Sequence, residues 1–99
     1  MKFKKAKFAI QLNENIKNVA VVEGYIEETN TYGFYKHNKF WKAADLVSGS
    51  LVCCCPTRKE CAGWIEENTD RIAAIKETQK YKLKVESFRE FLKEALNEE

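Results

Sequence analysis

The residues best equipped for chemistry crowd into nine positions, Cys53-Cys54-Cys55-Pro56-Thr57-Arg58-Lys59-Glu60-Cys61. Thiolates are good soft ligands that hold zinc at about 2.3 Å, so a metal site is the first reading to weigh. On a strand, however, Cys53 and Cys55 point one way and Cys54 the other, while Cys61 lies a turn into a helix. No second C-x-x-C knuckle completes a tetrahedron. Free cysteine is among the most buried residue types, so the expectation is core thiols with no metal and no cofactor. A metal-binding protein built on the cysteine cluster stands as an alternative.

A nucleophilic thiol needs a base. His37 is the single histidine, and an inferred hairpin sets it at the far end from the cysteines. Cys61, near a helix N-terminus and beside Arg58 and Lys59, is the thiol whose pKa those charges would lower. Nothing supplies an orienting third group or an oxyanion site, so no catalytic residue is assigned and the chain is read as a non-enzyme. Glu27-Glu28 and Glu66-Glu67 are neighbours in sequence, and adjacent positions converge on neither a strand nor a helix. No phosphate-cradling glycine loop, G-x-S-x-G or H-E-x-x-H is present, which leaves out the reactions those motifs carry.

Binding chemistry is better represented. Tyr32, Phe34, Tyr35, Phe40 and Trp41 are interleaved with Lys36, Lys39 and Lys42, the ingredients of a stacking platform with phosphate contacts. The same types, Tyr and Trp above all, anchor protein interfaces. The expected partner-binding residues are Tyr32, Tyr35, Lys36, Lys39, Trp41 and Lys42. Arg58 and Lys59, at a helix N-terminus, form a second and weaker candidate for an anion.

Charge helps to choose between partners. Seventeen basic against fifteen acidic side chains leave +2, too weak a field to imply nucleic acid or an anionic membrane. No apolar run approaches the roughly 20 residues that span a bilayer, and the start MKFKKAKFAIQL lacks the h-region of a signal peptide. The expectation is a cytoplasmic protein, and clustered rather than dispersed cysteines agree with a reducing compartment.

These residues must be positioned by a scaffold, and its clearest stretch runs from Phe40 to Ile65. Phe40 to Val47 reads as a strand, Ser48-Gly49-Ser50 as a corner, and Leu51 to Cys55 as a short apolar strand. Pro56 ends strand pairing, and Thr57-Arg58-Lys59-Glu60 is a capping box that opens a helix. Upstream, Ala6, Phe8, Ile10 and Leu12 alternate with polar residues as a half-buried strand. Asn13-Glu14-Asn15 is a turn, and Ile16 to Glu28 a second strand in which Gly24 marks a bulge or a close backbone approach. A short helix over residues 15–20 is the other option there. Glu28 to Thr31 reverses the chain, Tyr32 to His37 is aromatic enough for a strand, and Asn38-Lys39 turns again.

Downstream, Cys61, Ile65, Ile72 and Ile75 fall at helical spacing with Trp64 alongside, and Gly63 suggests a close helix-to-strand contact. Asn68-Thr69 is a possible break, with Thr69 capping a new helix. Tyr81, Val85, Phe88, Leu92 and Ala95 form a second amphipathic stripe widened by Phe91 and Leu96, with a bend expected near residues 79–83. The whole is a single α+β domain over residues 1–99: an antiparallel meander of four or five strands within 3–55, then two helices within 57–97 covering one face.

Trp41, Asp45, Ser48-Gly49, Leu51-Val52 and Thr57-Arg58-Lys59-Glu60 together resemble a module in small uncharacterised proteins of phages and mobile elements. There an aromatic strand, an Asp before a T/S-G turn, a short apolar strand and a T-R-K-E cap follow one another. The resemblance implies a small accessory protein, and anti-CRISPR-like inhibitors are one class of this size and composition. It implies a host protein, such as a nuclease, as partner, with a nucleic-acid-binding accessory as the alternative. The oligomeric expectation is a monomer or a homodimer. The run Cys53-Cys54-Cys55 departs from the module, which often places a glycine shortly before the Thr.

Overall fold

The computed structural model describes residues 2–13 and 18–97. Five strands, β1 (Phe3–Asn13), β2 (Asn18–Glu27), β3 (Tyr32–His37), β4 (Phe40–Asp45) and β5 (Leu51–Cys55), form one sheet in the order β1-β2-β3-β4-β5. Every neighbouring pair is antiparallel. Three helices follow, α1 (Arg58–Glu67), α2 (Thr69–Lys76) and α3 (Gln79–Asn97). This is the α+β meander that the alternating pattern predicts, since short connections leave consecutive strands no partner but each other. The turn expected at residues 13–15 and the start of the second strand at Ile16 fall largely outside the described residues.

The strands divide the side chains between two cores. On one face Phe34 and Ala43 pack under Cys61, Ala62 and Ile65 of α1 and Ile72 of α2. Phe34 is wholly buried and meets Phe3 edge-to-face at 5.2 Å between centroids. On the other face Phe8, Ile10 and Ala44 form a second cluster, with Tyr35 and Leu46 against it. Ala20, Val22 and Ile26 of β2 also pack against this cluster, and α3 contacts β2. β2 pairs with β3 only at Tyr25↔Phe34 and Ile26↔Gly33, and the far half of the β1–β2 ribbon turns across the sheet.

Gly24 is where the ribbon turns. A Cβ there would collide with the carbonyl of Phe34 and come within 3.1 Å of the Tyr35 Cα, so the close backbone approach read from sequence is present. The Gln11 N–H then reaches the Gly49 carbonyl at 2.8 Å, tying the far end of the ribbon to the corner after β4. Gly49 itself has φ +71 and lies beneath the Phe88 ring, a conformation and a proximity that only glycine tolerates without strain.

β4 stops two residues short of the Phe40 to Val47 run, because Asp45 diverts the backbone. Its carboxylate accepts the Val47 N–H at 3.3 Å and the Ser48 hydroxyl at 2.8 Å, and its carbonyl accepts the Gly49 N–H at 2.7 Å. Turn chemistry thus outcompetes the ladder.

The helical half corrects three expectations. Thr69 does not cap a new helix: its hydroxyl donates back to the carbonyls of Ile65 and Glu66, and the chain merely breaks at Asn68 between α1 and α2. The sharper break is at Glu77-Thr78 rather than near residues 79–83. Thr78 Oγ1 accepts the Tyr81 N–H at 3.2 Å and so starts α3. That break turns α3 back along the sheet, where Phe88 is only 2% exposed, instead of leaving the stripe in solvent.

Gly63 is not a contact glycine either, for a Cβ placed on it meets nothing within 4 Å. Gly63→Ala should therefore stabilise the protein by roughly 0.5–1 kcal/mol through helix propensity alone. Chemical denaturation measures it; destabilisation would mean that something does approach this side of α1.

Candidate functional site

The entry to α1 builds the site. Pro56 lacks the N–H that would prolong β5, and the Thr57 side chain accepts the Glu60 N–H at 3.1 Å, satisfying one of the open donors at the helix start. Arg58 is the first residue of the helix. Its guanidinium lies 4.4 Å from the Tyr25 ring centroid, 4.5 Å from that of Phe3 and 5.8 Å from that of Trp41. Tyr25 and Trp41 are themselves 6.2 Å apart. Phe3, Tyr25 and Trp41 come from β1, β2 and β4, so three strands and a helix converge on one cation. They line an open groove of about 720 Å³ whose rim carries Lys59 and Glu66.

A guanidinium carries five N–H donors in a planar fork, more than contact with ring faces takes up, so donors remain for a carboxylate or phosphate. Among the described residues no carboxylate lies within ion-pair distance of Arg58. The aromatic rings thus hold a basic fork ready with no acid of the described chain engaged by it.

The residues expected to bind a partner do not form one surface. Residues paired directly across antiparallel strands share a face, and the register pairs Tyr32 with Asp45, Lys36 with Trp41, and Tyr35 with Lys42. Tyr32, Lys36 and Trp41 therefore lie on the helix side, and Tyr35 and Lys42 on the opposite side. Tyr35 packs edge-on against Phe8, with burial and then the neighbouring Cys54 raising its pKa. Tyr32 lies under the Lys76 ammonium, and burial followed by the charges of Asp45 and Glu27 raises its pKa. Lys42 Nζ donates to His37 Nδ1 at 3.3 Å, whereas Lys36 and Lys39 are exposed. Of the expected set, Trp41, Arg58 and Lys59 meet at the groove. Phe3 and Tyr25 join them unforeseen, because β1 and β2 reach Arg58 only through the order of strands in the sheet.

The thiols are also brought together more closely than the sequence implies. Cys53 and Cys55 share a face of β5, Cys54 is exposed on the other, and Cys61 descends from α1. The sulfurs of Cys53, Cys55 and Cys61 all lie within 4.8 Å of one another. Cys61 donates to the Trp41 carbonyl at 3.3 Å and Cys53 to that of Cys61 at 3.7 Å. The lowered pKa expected for Cys61 is reversed: burial, and then the neighbouring Cys53, push it well up. The helix N-terminus does not compensate for a side chain with no exposure at all. Burial likewise pushes Cys53 up to about 11. Both are neutral thiols near pH 7, without the thiolate that nucleophilic attack requires. His37 stands at the same end of the hairpin as Cys55, which pairs with Trp41, but its partner Lys42 places it on the opposite face.

A second, smaller hollow of about 250 Å³ lies where α2 meets α3, with Asp45, Leu51, Trp64 and Tyr81 among its walls. At its floor the Tyr81 hydroxyl donates to the Asp45 carboxylate at 2.6 Å, so that burial and then this bond push the Tyr81 pKa far up. The pair fastens α3 to the β4–β5 corner. Tyr81→Phe should lower stability by about 1.5–3 kcal/mol, the range for a hydrogen bond to a charged group; thermal unfolding that is unchanged would show the bond to be dispensable. No signal in the sequence could have paired two residues 36 positions apart.

No protein-family model, curated protein or solved structure matches this chain. Among the described residues no helix is long and apolar enough to cross a membrane.

Proposed function

We propose that the chain is a small, non-catalytic interaction protein whose Trp41–Arg58 groove receives an acidic segment of another protein. The observation that carries this reading is the Arg58 guanidinium, clasped by Phe3 and Tyr25 at 4.5 and 4.4 Å and free of any acid of the described chain at ion-pair distance. An arginine held in place by rings loses little freedom on binding, which makes its contact with a carboxylate stronger than that of a mobile surface cation. Trp, Tyr and Arg are the types that dominate interface energetics. Lys59 on the rim and the positive end of α1 add to the attraction for an acid.

The likeness of the Phe40 to Ile65 stretch to mobile-element proteins supplies the partner class: a host protein met in the cytoplasm, a nuclease being the kind that anti-CRISPR-like inhibitors bind. A phosphate backbone would also suit Arg58 and Lys59, but the net charge of +2 provides little of the long-range attraction on which nucleic-acid affinity rests.

Capture from a bacterial lysate, with wild type and Trp41→Ala and Arg58→Ala variants, tests the reading. One stoichiometric protein should be retained by wild type and released by either variant, with affinity falling at least about 30-fold, the loss of about 2 kcal/mol that marks a hot spot. Recovery of no such protein, together with oligonucleotide binding that weakens steeply with salt, would overturn it in favour of nucleic acid.

A further inference from the structure

We infer that Cys53, Cys55 and Cys61 form a binding site for one soft metal ion in three-coordinate sulfur ligation, with monovalent copper as the ion the site fits best. The three sulfurs lie within 4.8 Å of one another. A planar three-sulfur site with metal–sulfur bonds of about 2.3 Å requires sulfurs about 4 Å apart. Each sulfur therefore moves inward by about 0.5 Å or less to reach such bonds, within the reach of small side-chain rotations. The chain already holds the donors on one face of β5 and the facing turn of α1.

The donor count selects the ion. Among the described residues no His, Asp or Glu joins the three thiols, Cys54 is exposed on the opposite side of the strand, and His37 is bonded there to Lys42. Structural zinc is almost always four-coordinate, so it would need a water as fourth ligand. The half-buried Cys53 and Cys55 and the buried Cys61 sit among Ala43, Ala62, Val52 and Trp41, and among the described residues no fourth side-chain ligand is at hand. Thiolate donors favour Cu(I), and a closed-shell monovalent ion is satisfied by three of them.

Binding forms three Cu–S bonds, breaks three S–H bonds and releases three protons to solvent; the copper stays monovalent and no electrons are exchanged. The excess negative charge faces the positive end of α1, and Arg58 stands one helical turn before Cys61. None of the three cysteines lines the groove beside Arg58, so the metal site and the groove are distinct places on the fold.

Anaerobic titration of the reduced full chain with Cu(I), against a competing Cu(I) chelator and followed by native mass spectrometry, tests the inference. One copper per chain is expected, with X-ray absorption showing three sulfurs at about 2.3 Å. Cys54→Ser should bind as wild type does. Cys53→Ser and Cys55→Ser should each weaken binding by at least about 100-fold, the upper end of what outer ligand partners alone are worth. Both replaced positions are only half-buried, and circular dichroism checks that each variant is folded; Cys61→Ser, at a fully buried position, is the more disruptive change. Copper held equally well by Cys53→Ser and Cys55→Ser, loss of copper on Cys54→Ser, or failure of wild type to compete with the chelator would each overturn the site. So would zinc bound in preference to copper with a four-coordinate spectrum in the cobalt-substituted protein.

Discussion

Gly24→Ala is expected to destabilise the fold by about 3 kcal/mol, the upper end of the usual overpacking penalty. A methyl group at this position would collide with the Phe34 carbonyl group and crowd the Tyr35 Cα. Those are backbone atoms of β3, fixed by its pairing with β4, and they cannot rotate aside as a side chain can. The β1–β2 ribbon would have to lift away, exposing Phe8 and Ile10 and loosening the bond from Gln11 to Gly49. Gly33 provides the contrast. There the atoms nearest a new Cβ belong to the Phe8 ring, a side chain rather than backbone, so Gly33→Ala should be milder, about 1–2 kcal/mol. Urea denaturation of both variants checks the order; a Gly24→Ala midpoint indistinguishable from wild type would mean that β2 does not cross β3 as described.

Glu27→Gln should be the second large effect, and one that depends on pH. Glu27 is 2% exposed, yet its carboxylate is fully engaged. It accepts the Thr29 N–H at 2.7 Å, the Thr31 N–H at 2.7 Å, the Tyr32 N–H at 3.2 Å and the Thr29 hydroxyl. Four donors converge on one side chain, holding the β2–β3 turn in which Asn30 adopts φ 57. Burial by itself would raise the Glu27 pKa, but the bonds from Thr29, Thr31 and Tyr32 together outweigh it and leave it below 4.5. An amide can replace one carboxylate oxygen but turns donors toward the other, leaving an N–H unpaired. The expected loss near neutral pH is about 2–3 kcal/mol, for a buried donor left unsatisfied together with the loss of charge-assisted bonds.

The sign of the pH effect follows from the lowered pKa. The unfolded chain takes up a proton at higher pH than the folded one, so the charged carboxylate stabilises the fold fully above the unfolded value near 4.5. That contribution disappears as pH falls toward and through the folded value. The gap in stability between wild type and Glu27→Gln should therefore be widest near pH 7 and should shrink below about pH 4.5. Unfolding curves at neutral and acid pH measure it; a gap constant across that range would show that the carboxylate's charge plays no part in the turn.

Much of the architecture was legible because it is encoded by neighbours. Alternation at Ala6, Phe8 and Ile10 specifies a strand, the Asn38-Lys39 reversal puts Asn38 at φ 58, and Pro56-Thr57 ends β5 and opens α1. Gly24 announced a close approach although its partner, the Phe34 carbonyl, could not be named. The break at Thr78 was readable in principle, for Thr is a good helix cap, but T-Q-K-Y lacks the acidic residue that completes a capping box.

The chain by itself therefore determined a succession of four or five antiparallel strands, a capped helix and the alternation that sends Cys53 and Cys55 to the side away from Cys54. Tertiary structure alone decided which residues meet. The stacking of Arg58 on Phe3 and Tyr25, the descent of Cys61 onto the β5 thiols and the bond from Tyr81 to Asp45 all join segments distant in sequence. Local propensity acts over a few residues, whereas these contacts depend on how far the β1–β2 ribbon bends and where α3 turns back. Both are set by backbone clearance at Gly24 and Gly49, which is a property of the folded chain.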